Sequence, residues 1–389
     1  MNLSIKLPTA SGALETYSVQ GTPLGVRPPV REFNRIAYSA AHVVADPLRA
    51  GELNAEPAID WDRTIAYRRY LLEQGLGIAE AMDTAQRGMG LPWSTALELI
   101  TRSIEGTRDI AGAAIASGCG TDHVTPASVT NCDQVIRAYA EQLEAVQRVG
   151  GRVILMASRA LAKVARSPDD YRRVYREVLA MCDQPVILHW LGAMFDPELA
   201  GYWGTSDFPG AAEVCLDIIE ANSAKVDGIK ISLLDEQKEI TFRRRLPQSV
   251  KMYTGDDFNY PALIAGDGTH FSHALLGIFD AIAPAASQAL TALSAGDVET
   301  FNRLLGPTVP LSRHIFRAPT QYYKTGVVFL AYLNGFQDHF FMPGGHHGMR
   351  PPAYLADVFR LADQAGLLRD PADAITRIRR AMAPLGCAD

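Results

Sequence analysis

Eight short apolar runs, each followed by a longer amphipathic segment, set what this chain can fold into. They begin near Ile36, Ile78, Ile110, Val153, Val186, Val226, Val250 and His270. Most successive spacings lie between 24 and 43 residues, which is room for one strand and one helix. Alternating strands and helices favour a parallel sheet with right-handed crossovers. Eight such units within about 250 residues imply a closed (β/α)8 TIM barrel.

The helical segments carry start and stop signals. Ser167-Pro168-Asp169-Asp170 supplies an N-cap, a proline at the first helical position and acids in the first turn. From Asn131 to Arg148, Val135, Ile136, Tyr139, Leu143 and Val146 recur at helical spacing, and Gly150-Gly151 ends the run. Asp60-Trp61 opens another helix, stopped at Gly75, and two more run from Ala285 to Leu293 and from Asp297 to Leu305. Three regions follow: a lead-in over 1–30 with hairpin character, the barrel over 31–307, and a C-terminal helical extension over 308–389. Val327 to Leu333 reads as a buried helix.

Among 389 residues, 48% are hydrophobic and 21% charged, enough for a large core. A formal net charge of -6 argues against nucleic acid or an anionic membrane as partner. We expect no transmembrane helix, since no run of about 18 apolar residues occurs, and the start resembles neither a signal nor a transit peptide. Five scattered cysteines without a CxxC pair suit reduced thiols and a cytoplasmic location.

The chemistry centres on Lys230, the one cation inside Val226-Asp227-Gly228-Ile229-Lys230-Ile231-Ser232. A buried ammonium is costly unless it is paired or neutral. Desolvation favours the neutral amine, which can attack a carbonyl and form a Schiff base; an ion-paired or substrate-binding lysine is the competing reading. Barrel active sites gather at the C-terminal strand ends. There the strands are expected to deliver Asp83 and Thr84, Ser158 and Arg159, His189, Tyr253, Asp256 and Asp257, and Ser272. His189 or Tyr253 would move the proton; the others would bind substrate oxygens. Arg243-Arg244-Arg245 reads as a solvated run, and His346-His347 lacks the further ligands of a metal site.

Gly228-Ile229-Lys230 is similar to the Schiff-base strand of the class I aldolase superfamily of dihydrodipicolinate synthase and N-acetylneuraminate lyase. Gly255-Asp256-Asp257 resembles that family's next strand end, Ala292 to Asp297 its helix-turn-helix after strand eight, and Gly348-Met349-Arg350-Pro351-Pro352 its late turn. The resemblance spans roughly residues 30–370 and points to a bacterial branch without a characterised reaction. It implies a carbon–carbon lyase acting through Lys230, without metal or other cofactor, in a homo-oligomer (dimer or tetramer). Tyr322, Tyr323, Phe340 and Phe341 are candidates for an apolar contact patch. The chain departs from the family at three places. Only Thr84 remains of its Thr-Thr pair, His189 stands where it has a relay Tyr, and Met194 lies near its carboxylate-binding Arg. The resemblance therefore carries over neither pyruvate as donor nor lysine biosynthesis.

The expected substrate is a keto sugar, sugar acid or 2-oxo acid without phosphate. A metal-dependent sugar isomerase or epimerase using His42, Glu80, Asp122, His123, Asp256 and His270 is the alternative. A non-catalytic sugar-binding barrel is the third reading.

Overall fold

The computed structural model describes residues 3–27, 32–49, 56–82 and 86–387. Ten strands occur in chain order: β1 (Ser4–Pro8), β2 (Leu14–Ser18), β3 (Ala37–Ser39), β4 (Gly77–Glu80), β5 (Ile115–Cys119), β6 (Arg152–Leu155), β7 (Val186–Leu191), β8 (Val226–Ser232), β9 (Lys251–Thr254) and β10 (His273–Leu276). The first two pair antiparallel as a hairpin. The other eight close a barrel in the order β10-β3-β4-β5-β6-β7-β8-β9, every pair parallel. This is the (β/α)8 fold, followed by C-terminal helices.

The chain divides into two compact units. One comprises residues 35–41 and 77–276 and contains all eight barrel strands; the other comprises 1–34, 42–76 and 277–389. In the barrel unit, strands covered on both faces are apolar throughout, as β7 shows with six buried residues. Tyr38, Ala79, Met82, Ala116, Ile154, Met156, Ile187, Tyr253 and Leu275 fill the interior as one cluster. Small residues sit beside large ones in this cluster, as close packing of a barrel interior requires.

The helices begin where capping chemistry sets them. Asn131 accepts a bond from the Gln134 backbone to start Cys132–Arg148, and Ser167 with Asp170 forms a capping box for Pro168–Ala180. In the other unit, Asp60 caps Trp61–Glu73, and Tyr323–Leu333 is buried along its whole length.

Four expectations need correction. The third barrel strand starts at Ile115, because Ile110 lies in a turn bonded to Thr107. The eighth starts at His273, since Asp267 holds His270 in a capped turn. Arg243 is not solvated: it is buried, bonding the Leu263 carbonyl and the Ser272 hydroxyl. Tyr323 is buried and stacked on Phe316, so it belongs to no exposed contact patch, while Tyr322, Phe340 and Phe341 are half-buried. Among the described residues no helix is long and apolar enough to cross a membrane.

Candidate active site

Register places Lys230 inside the barrel. It pairs with His189 on β7 and with Tyr253 on β9, and Tyr253 belongs to the interior cluster. Residues opposite one another in neighbouring strands share a face, so Lys230 and His189 point inward too. Lys230 is 5% exposed, and its Nζ lies 3.7 Å from the Met82 sulfur. Two residues on, Ser232 faces the same way, and its hydroxyl lies 3.3 Å from His189 Nε2.

Gly255, just after β9, makes room for this group. A Cβ there would fall 2.7 Å from Lys230 Cε, 2.2 Å from Ser232 Oγ and 2.8 Å from the Ile231 carbonyl. Burial, and then the adjacent Lys230 charge, hold the His189 pKa well below that of an ordinary histidine. His189 is therefore a neutral imidazole at physiological pH, able to accept a proton or relay one through Ser232.

Tyr253 shares the register but not the direction. Its ring lies over Gly228, where a Cβ would come within 2.6 Å of it, and its hydroxyl donates to Asp227 at 2.7 Å. Lys251 also reaches Asp227, at 2.6 Å. Burial and the Asp227 carboxylate raise the phenol pKa strongly. The hydroxyl therefore sits toward the N-terminal end of the strands, away from the mouth, and is poorly placed as the proton-transfer group.

The remaining expected residues separate. Asp256 bonds the Phe258 and Asn259 amides and the Asn259 side chain, closing its own turn; burial raises its pKa. Asp257 is buried beside it. Ser272 precedes β10, at the opposite end from the mouth, and its hydroxyl donates to Glu239 at 2.6 Å. Ser158 caps the helix Arg159–Val164 and bonds Thr121 at 2.6 Å. Asp83 and Thr84 lie outside the described residues.

Arg159 opens onto a cleft at the ends of β4 to β7, bonded to Asp196 at 2.7 Å. Across the cleft, Arg87 grips Asp122 through two nitrogens, one of them at 3.0 Å. Burial works against the Asp122 carboxylate, but Arg87 outweighs it and keeps the group ionised. Sequence reasoning gave no role to Ser232, Gly255 or Asp196. Ser232 was readable from its two-residue spacing to Lys230, and Gly255 opens the strand-end motif Gly255-Asp256-Asp257; Asp196 carries no local signal.

The proposed metal ligands disperse. Glu80 faces Ser103 on a neighbouring helix, at 2.6 Å, while His42 pairs with Asp280 and His123 with Glu141. Among the described residues no three His, Cys, Asp or Glu side chains gather to hold a metal ion.

Residues 5–387 match the family described as Protein of unknown function (DUF993). The chain belongs to that family. No curated protein matches the chain in sequence. This DUF993 chain is similar in structure to dihydrodipicolinate synthase from Aquifex aeolicus, with a TM-score of 0.64 at 11% identity, covering 86% of this chain and 99% of that one. The dihydrodipicolinate synthase of Thermotoga maritima gives 0.62 at 13% identity, covering 87% and 100%. The chloride-inhibited enzyme of Acinetobacter baumannii, complexed with pyruvate, gives 0.61 at 16% identity, covering 86% and 99%. At these identities the likeness is one of fold. It establishes for the DUF993 chain the dihydrodipicolinate synthase-like barrel.

Proposed function

We propose that this protein is an aldolase-type carbon–carbon lyase that forms a Schiff base between Lys230 and the carbonyl of an oxo acid or keto sugar. The observation that carries the reading is a lysine amine enclosed within a parallel barrel, in register with a neutral buried histidine. The amine nitrogen attacks the carbonyl carbon, and loss of water from the carbinolamine leaves an iminium. In the cleavage direction His189 takes the proton from the substrate hydroxyl two carbons away from the iminium carbon. The carbon–carbon bond breaks, an aldehyde leaves, and its electron pair enters the iminium to give an enamine. Protonation and hydrolysis of the enamine release the second product and restore Lys230. Ser232 lies where it can pass the proton between His189 and the reacting chain. Four buried, unpaired thiols suit a reducing, cytoplasmic setting.

Borohydride trapping with a panel of oxo acids and keto sugars, followed by peptide mass mapping, tests the reading. The expected adduct is on Lys230, and Lys230→Arg should lose both adduct and turnover while keeping its fold. Arginine retains charge and reach but does not give up its proton. Wild-type turnover in Lys230→Arg would end the Schiff-base reading.

A further inference from the structure

Among its described lining residues, the cleft at the ends of β4 to β7 is balanced in charge. It is lined by two guanidinium groups, Arg87 and Arg159, and by two carboxylates, Asp122 and Asp196. Arg87 is fully engaged: besides Asp122 it bonds Gln142 at 2.7 Å and the Gly118 carbonyl at 2.8 Å. Arg159 is 37% exposed and matched to an Asp196 that is 3% exposed, with Glu198 a further 3.7 Å from one of its terminal nitrogens. A bound anion would meet two cations already neutralised, and would face both carboxylates at close range.

A hydroxyl fits the same surroundings, because it both donates and accepts. It can donate to the remaining lone pairs of Asp122 and Asp196 and accept from the partly exposed Arg159 guanidinium, whose contact with Glu198 is a loose 3.7 Å. Met156 supplies an apolar floor for the C–H face of such a chain. It also lies near the reacting group, because Met156 and Met82 belong to one interior cluster and Met82 touches Lys230. We propose that this cleft binds the uncharged polyhydroxyl chain of the substrate, so that the substrate class is a neutral keto sugar rather than a sugar acid or sugar phosphate. The proposal rests on the reading of Lys230 as the carbonyl-binding residue and assigns Asp196, Arg159 and Asp122 as specificity-determining residues.

Calorimetric titration of the full chain with ribitol, ribonate and ribitol 5-phosphate tests it. None of the three has a ketone or aldehyde group, so their binding is independent of iminium formation. Ribitol should bind, with ribonate and ribitol 5-phosphate each about tenfold weaker or more. Asp196→Asn removes the nearer and buried of the two carboxylates on Arg159, leaving only the exposed Glu198 at 3.7 Å, and should reverse the order, ribonate gaining about tenfold. Arg159→Met, at a partly exposed position that tolerates change, should weaken ribitol about tenfold and leave ribonate weak. No ribitol binding, tighter binding of either anion by the wild type, or an order unchanged in both variants overturns the proposal. Failure here together with a borohydride adduct on Lys230 would leave the Schiff-base reading standing; the reverse pattern would remove that reading and keep the polyol site.

Discussion

An imidazole sealed in the barrel beside a lysine, as His189 is, has little opportunity to become an imidazolium. Because its pKa in the folded state lies below 6.5, the unfolded chain takes up this proton first as pH falls. Its contribution to stability is whole above pH 6.5 and is lost progressively below it. The variant His189→Phe should therefore show a flatter decline of Tm on the acid side than the wild type; identical declines would contradict this burial. Its turnover should fall about 10²–10⁴-fold, while trapping on Lys230 persists. At Gly255 the added methyl of Gly255→Ala meets a backbone carbonyl as well as Lys230 and Ser232. We expect a loss of about 1–3 kcal/mol in denaturant unfolding and a sharp drop in adduct yield; undiminished trapping would show that Lys230 has other room. Lys230 and His189 were legible because each interrupts an apolar strand with a polar side chain. The direction of the Tyr253 hydroxyl was not, since it depends on Asp227 and on the bare backbone at Gly228, facts of three dimensions that spacing does not encode.

Between strands, the helix Glu236–Arg243 contributes a carboxyl to a wholly buried position. Glu239 accepts from Thr254 at the end of β9, at 2.9 Å, and from Ser272 before β10, at 2.6 Å. Burial raises its pKa to about 8. A carboxyl held protonated by the fold supports stability below its unfolded pKa of about 4.5 and loses that support as pH rises toward 8. Chemical denaturation at pH 5 and pH 8.5 should show the wild type weakening by several kcal/mol, at most about 1.4 kcal/mol per pH unit. Glu239→Gln should weaken much less over the same interval. Equal losses would mean that Glu239 is ionised in the folded protein. Helix ends at Asp60, Asn131 and Ser167 were readable because caps are local chemistry. The third and eighth strand starts were not, because an apolar or β-prone residue inside a turn looks the same in sequence as one inside a strand. Arg243 was misread for a related reason: three arginines in a row look solvated, although helical rotation turns the first of them inward.

Across the whole molecule, closure of eight parallel strands was the most legible property, since repeated strand-plus-helix spacing admits few other solutions. The anchoring of the hairpin was the least. Asp363, on the helix Pro352–Gln364, accepts from the Tyr17 hydroxyl at 2.7 Å and from the Gln20 and Gly21 amides at 2.9 and 3.1 Å. Nothing near Tyr17 in sequence announces a partner 346 residues away. Removing that carboxylate leaves three donors unmatched, so Asp363→Ala should cost about 3 kcal/mol. Limited proteolysis should then cut the β1–β2 segment ahead of the barrel; a cleavage order unchanged from wild type would show that the hairpin is held otherwise. The same contact orders events on the ribosome. At about 5–20 residues per second, the hairpin leaves the exit tunnel tens of seconds before Asp363 has been translated. For that interval the strands of the hairpin wait without their dock, exposed to chaperones and proteases, and only the emergence of Asp363 lets them settle.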